Sequence, residues 1–177
     1  ITDISDYTDS QIDSINNTFS IIDETKTIEG KSVPIPSRLN IAASALGGAQ
    51  AALTATIQYM GEREAFGKKI NQFQALQFKL AELEVKLQTS RVFLRQAAWK
   101  LDNKASDANK FCAMAKLFVT NQSFEVANSC LQLHGGYGYL AEYGIEKIVR
   151  DLRVHQILEG TNEIMHLIIA RHILAEK

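Results

Sequence analysis

The residues around Glu159 combine the groups needed to take a proton from beside a carbonyl. In the run Val154-His155-Gln156-Ile157-Leu158-Glu159-Gly160-Thr161-Asn162-Glu163, one carboxylate stands between an apolar stretch and a glycine. Glu159 follows Ile157 and Leu158, which puts it at the edge of an apolar site. Desolvation there disfavours the charged carboxylate and makes it a stronger base. Gly160 has no side chain, so a ligand can come close to the backbone. Thr161 or Asn162 can cap a following helix, whose free N–H groups favour an anionic ligand. The same ten residues also read as an ordinary helix–turn–helix with a solvated glutamate.

Other candidates are weaker on their residues alone. Arg63, at the end of an expected first helix, can simply offset the helix dipole. Gly135-Gly136-x-Gly138 reads as a helix C-cap and turn. It is too short for a dinucleotide fingerprint, and no strand precedes it. Arg171, twelve residues after Glu159, reads as a surface cation near a helix C-terminus. His134 and His155 have no carboxylate or thiolate cluster at metal-ligand spacing, so no metal site is expected.

Composition narrows the class. The chain has 177 residues, 46% hydrophobic and 22% charged, which suits one globular domain, or one plus a tail. A net charge of −1 gives no reason to expect nucleic acid or an anionic membrane as partner. Cys112 and Cys130 are too few for a disulfide framework and are expected as buried free thiols. No apolar run approaches the roughly 20 residues of a membrane span. The chain starts at Ile1 without a basic, apolar leader, so no targeting signal is expected in it.

The elements that must position these residues are helical. Residues 1–37 are rich in Ser, Thr, Asp, Asn and Ile, carry both prolines, and are expected to form an irregular leader. From Arg38, Leu39, Leu46, Leu53, Ile57 and Met60 recur at helical spacing, bounded by Pro36 and by Gly61 and Gly67. A second helix is expected over about 71–104, with Phe73, Leu76, Leu80, Leu83 and Leu87 on one face. A third, helped by Asp107 as a cap, ends at Gly135-Gly136. A short helix over about 142–153 and a last one over about 161–175 follow. Long helices on short loops predict an all-α fold: an antiparallel four-helix bundle with an additional short helix and no sheet from residue 38 onward.

Five elements, in order and at matching distances, resemble the acyl-CoA dehydrogenase family. They are Arg63-Glu64-Ala65-Phe66-Gly67-Lys68, then Phe73-Gln74, then Gln132-Leu133-His134-Gly135-Gly136-Tyr137-Gly138-Tyr139, then Arg150-Asp151, then Glu159-Gly160-Thr161. The resemblance covers about residues 38–177, the family's C-terminal helical bundle domain, and leaves 1–37 unmatched. The wording around Ala115-Lys116-Leu117-Phe118 and Arg153-Val154-His155-Gln156-Ile157-Leu158-Glu159-Gly160 resembles the short branched-chain members most.

The resemblance implies FAD-dependent α,β-dehydrogenation of a short or branched acyl-CoA thioester, isobutyryl-CoA-like. Glu159 is implied as the base, with its backbone N–H and a ribityl hydroxyl of FAD on the thioester carbonyl. Arg63, Phe66, Phe73, Gln74, Gln132, Leu133, His134, Gly135 and Gly136 are implied contacts to the flavin of a neighbouring subunit. Thr161, Asn162 and Glu163 are implied to face the flavin, and Arg38, Gly160 and Arg171 to touch the acyl-CoA. Ala65 and His166 stand where relatives commonly have Thr and Arg. The implied partners are a second copy of the chain, as dimer or tetramer, and electron-transfer flavoprotein as electron acceptor. The implied location is the mitochondrial matrix in a eukaryote or the cytoplasm in a bacterium. The chain resembles only about the last third of such a protein, so the alternative is a catalytically incomplete helical module for oligomerisation.

Overall fold

A computed structural model describes residues 33–175. The reading of residues 1–32 as an irregular leader lies outside the described residues.

Helix α1 spans Ile35–Glu62. It begins three residues before Arg38, because a proline in the first helical turn removes only an N–H that has no helical partner. Ala42, Ala45, Ala49 and Ala52 recur every three or four residues and are fully buried, flanked by Leu46, Leu53 and Met60. This face packs on a later helix, α3, spanning Ala108–His134.

Between α1 and the next helix the chain makes a small hairpin, which corrects the expectation of no sheet. Strand β1, Glu64–Ala65, pairs antiparallel with β2, Lys68–Lys69. Its central residues Phe66 and Gly67 both have left-handed φ, 51° and 77°. Two-residue turns of that kind match the twist of paired strands. Helical periodicity could not reveal it, since it is only four paired residues long.

Helix α2 spans Gln74–Asp102, preceded by a 3-10 turn at Ile70–Gln72. A short connection leads to α3. Asp107 takes the N-cap position of α3 without bonding its backbone by the side chain. Its carboxylate instead accepts from Lys100 Nζ at 2.7 Å, which ties the end of α2 to the start of α3. Two 3-10 turns, Gly135–Tyr139 and Ala141–Tyr143, lead to α4, Ile145–His155. The last helix, α5, spans Asn162–Ala175.

Helix α3 is the axis of the bundle and packs against α1, α2, α4 and α5. The core is the meeting of the α1 alanine face with Leu83 and Leu87 of α2, Val119, Val126 and Ala127 of α3, and Ile145 and Leu152 of α4. Each fully buried leucine there contributes roughly 1.5–3 kcal/mol relative to exposure. Cys112 and Cys130 are buried free thiols, and burial pushes both up from the ordinary thiol range. Among the described residues no helix is long and apolar enough to cross a membrane.

Candidate functional site

Two regions gather the residues singled out by the sequence. The first is the connection from α4 to α5. Helix α4 unwinds after His155, and the chain turns through Glu159 and Gly160, with φ of 55° and 85°. A left-handed glutamate costs energy that a glycine does not pay, so its surroundings must hold it there. Thr161 caps α5: its Oγ1 accepts from the Ile164 backbone N–H at 3.4 Å. Glu159 is half-buried while Leu158 is exposed, so the apolar wall expected beside the carboxylate is not built by Leu158.

What holds the turn is a polar network inside the protein. Lys116, from α3, has no exposed surface. Its Nζ donates to the Gly160 carbonyl at 2.7 Å, to Asn162 Oδ1 at 2.8 Å and to the Gln156 carbonyl at 3.3 Å. Asn162 Nδ2 donates to Asn121 Oδ1 at 2.8 Å and to Thr120 Oγ1 at 3.1 Å. Gln156 Nε2 also donates to Asn121 Oδ1, at 3.0 Å. The Asn162 backbone N–H closes the loop on the Gln156 carbonyl at 2.9 Å. Burial lowers the Lys116 amine to about 8, against the pull of the Glu163 and Glu159 charges.

This network decides how the neighbouring residues are oriented. The Asn162 amide is turned inward and spent on α3. Glu163 is exposed, and bonds from its own backbone N–H and the Thr161 hydroxyl hold its carboxyl below the usual carboxylate range. Such a carboxylate is a poorer base than an unbonded one. Burial lowers His155. Gly160 is tight as well as left-handed: a Cβ there would lie 2.9 Å from Met165 Cε. Arg38 is buried, not open to a ligand; it donates to Asn109 Oδ1 at 2.8 Å, and its Nε lacks a partner among the described residues. Arg171 is exposed on α5.

The second region is a cavity of about 560 Å³ lined by Tyr59, Arg63, Ile70, Leu133, Tyr137 and the 132–136 backbone, among others. Gln132, Gly135 and Gly136 are exposed, and the space where either glycine would carry a Cβ is open. His134 is buried: its Nδ1 pairs with the Cys130 carbonyl at 2.8 Å and its ring stacks on Tyr59 at 4.3 Å. Arg63 sits over the Tyr137 ring, 5.1 Å from its centre. Gly138 allows the turn to lie on α3, since a Cβ there would be 2.6 Å from the Leu131 carbonyl oxygen. Phe66, at the hairpin tip, is 96% exposed and meets Phe73 edge-on at 6.3 Å. Gln74 is exposed at the start of α2.

A guanidinium, an aromatic floor and bare glycine backbone fit the pyrophosphate and adenine of a dinucleotide cofactor. The structure thus brings Arg63 together with Gln132–Gly136, and leaves Glu159–Glu163 as a separate group. Sequence reasoning missed Lys116, Thr120 and Asn121. The available signal was a lysine inside the otherwise apolar run Ala113–Val119, a placement that needs buried acceptors.

Comparison with known proteins bears on the family and the fold. Residues 36–174 match the family model of the acyl-CoA dehydrogenase C-terminal domain. Mitochondrial isobutyryl-CoA dehydrogenase of Bos taurus is 45% identical over 139 residues, which is 78% of this chain and 33% of that protein. A chain in the structure of the electron transferring flavoprotein of Acidaminococcus fermentans superposes with a TM-score of 0.74 at 39% identity, over 78% of this chain and 36% of that one. PigA, solved with FAD and proline, gives a TM-score of 0.75 at 29% identity, over 81% and 37%. The chain spans about a third of the length of the curated relatives it matches. The family is one of FAD-dependent oxidoreductases. By the match over 36–174 and by the fold that carries it, this chain belongs to the acyl-CoA dehydrogenase family and comprises that family's C-terminal domain.

Proposed function

We propose that this chain supplies the catalytic base and part of the flavin site for α,β-dehydrogenation of a short or branched acyl-CoA, isobutyryl-CoA-like. The observation that carries the reading is the left-handed Glu159–Gly160 turn held at the capped N-terminus of α5. Bound FAD supplies the acceptor for the β-hydride. Glu159 takes the α-proton, and its backbone N–H supports the thioester carbonyl as negative charge develops. Such oriented donors are typically the largest catalytic contribution. Gly160 lets the turn lie close against Met165, where a side chain would clash. Glu163, already bonded by Thr161 and its own N–H, is the poorer base.

Arg63 and the Gly135-Gly136 backbone would hold the cofactor's phosphates and adenosine, with Gln132, Leu133, His134, Phe66, Phe73 and Gln74 around them. In this arrangement the flavin belongs to a second copy of the chain. Arg171 reaches coenzyme A, and electron-transfer flavoprotein takes the electrons away. Arg38 is buried and spent on Asn109, so it has no direct contact with the acyl-CoA in this reading. Asn162 holds the turn instead of facing the flavin.

The test is a chimera in which residues 36–174 replace the matching domain of bovine isobutyryl-CoA dehydrogenase. Adding isobutyryl-CoA should bleach the flavin band near 450 nm, and Glu159→Gln should abolish bleaching and α-proton exchange while acyl-CoA still binds. A positioned general base contributes roughly 100- to 10,000-fold. Exchange that survives in Glu159→Gln but is lost in Glu163→Gln would identify Glu163 as the base.

One observation favours a second reading, a helical module that assembles without chemistry. Phe78, Val85, Val92 and Trp99 are exposed on α2, each seven residues from the next. A seven-residue apolar repeat on one helix face suits packing against another helix.

A further inference from the structure

We propose that Lys116 is a positioning residue for the reaction: its ammonium clamps the Glu159–Gly160 turn from inside the bundle and sets the direction of the Glu159 side chain and backbone N–H. The proposal rests on Glu159 being the base.

Three observations converge on it. First, Lys116 is fully buried in the middle of α3, where an ammonium is costly unless every donor is used. All three donors are used: on the carbonyls of Gln156 and Gly160 in the α4–α5 connection and on the side chain of Asn162, the first residue of α5. Second, these acceptors bracket Glu159 on both sides. Holding the carbonyls of residues 156 and 160 fixes the peptide planes that lead into and out of the turn. Third, Glu159 is held at φ 55°, a conformation a glutamate does not keep unaided. The strained residue is the base, and the nearest bond opposing its relaxation is the 2.7 Å bond from Lys116 to the next carbonyl. The Thr120 hydroxyl, itself bonded to the Lys116 carbonyl at 2.8 Å, orients the Asn162 amide so that its oxygen faces Nζ.

A lysine serving only to fill the core would be replaceable by methionine, which keeps most of the aliphatic stem and the volume. A clamp would not. In the chimera described above, Lys116→Met is expected to lower α-proton exchange and kcat by about 100-fold, the scale of a reacting group misplaced by about 1 Å. Binding of FAD should be unchanged, because the region of Arg63 and Gln132–Gly136 lies apart from the Lys116 network. In the full 177-residue chain, the same substitution should speed hydrogen exchange of the 156–162 amides while leaving the α1 and α3 core amides protected.

Wild-type full chain supplies a measurement that needs no variant. Raising the pH through about 8 neutralises Nζ and leaves two donors for three acceptors, so the amide resonances of residues 156–162 should move together with that midpoint. The charged groups facing Nζ are Glu159 and Glu163 from the turn and α5, His155 from α4 and Arg38 from α1. His155→Gln keeps the midpoint if Lys116 is the titrating group. Lys116→Met exchange at the wild-type rate, alongside an inactive Glu159→Gln, overturns the clamp and spares the base. A Glu159→Gln chimera that still exchanges removes the base instead, and the 156–162 amides then report on the clamp alone. Amides of residues 156–162 that exchange no faster in Lys116→Met than in wild type overturn the clamp on the full chain.

Discussion

Lys116 should give this chain an unusual pH dependence of stability. In the unfolded chain its amine has the ordinary lysine value of 10.5; in the folded chain burial lowers it to about 8. Below about 8 both states are protonated, and the folded state bears the full cost of a buried charge. Between about 8 and 10.5 the unfolded chain binds a proton that the folded chain does not, so stability rises with pH across that window. Each pH unit is worth about 1.4 kcal/mol, so the whole interval amounts to about 3 kcal/mol. The assay is urea unfolding of wild type and Lys116→Met, followed by far-ultraviolet circular dichroism at about pH 7 and about pH 9.5. Other titrating groups cancel in the difference. At the lower pH the two proteins should be nearly equal. Removing the charge relieves about 3 kcal/mol, while leaving the Gly160 carbonyl and its neighbours short of a donor costs about 1–3 kcal/mol. At the higher pH wild type should have gained about 2 kcal/mol on the variant. A difference that stays flat, or that shrinks as pH rises, would refute the argument that Lys116 is buried at a cost.

Gly160→Ala should destabilise the chain by about 1–3 kcal/mol in the same unfolding assay, from the left-handed backbone plus the Met165 contact; an unchanged midpoint would mean the turn adapts freely. The α2 stripe should drive self-association at tens of micromolar, and Val92→Glu with Trp99→Glu should shift the mass by light scattering toward monomer. Equal masses for the two proteins would place the contact elsewhere.

The helices were legible because each long one keeps a regular apolar face: Leu39, Leu46, Leu53 and Met60 place α1, and Leu83 and Leu87 place α2. Helix ends were less so. Pro36 reads as a boundary but lies in the first turn, and Asp107 takes its cap position while its side chain goes to Lys100. The Phe66-Gly67 hairpin is too short for any periodicity to announce it. At the candidate site, the glycine and the cap residue Thr161 could be read directly, since their roles are local. The inward turn of Asn162, the burial of Arg38 and the clamp by Lys116 could not. Each depends on a partner more than 35 residues away in the chain, on a helix whose approach only the folded bundle defines.

The alanine face of α1 has a consequence for how such a bundle can change over evolutionary time. With Ala42, Ala45, Ala49 and Ala52 all pressed against a neighbouring helix, the seam has no spare volume, and an added methyl group would have to lift one helix off the other. The frame therefore resists gradual drift at those positions. New preferences in what the protein handles are more readily acquired at a connection position such as Gly136, where an added side chain meets open space and leaves the frame in register.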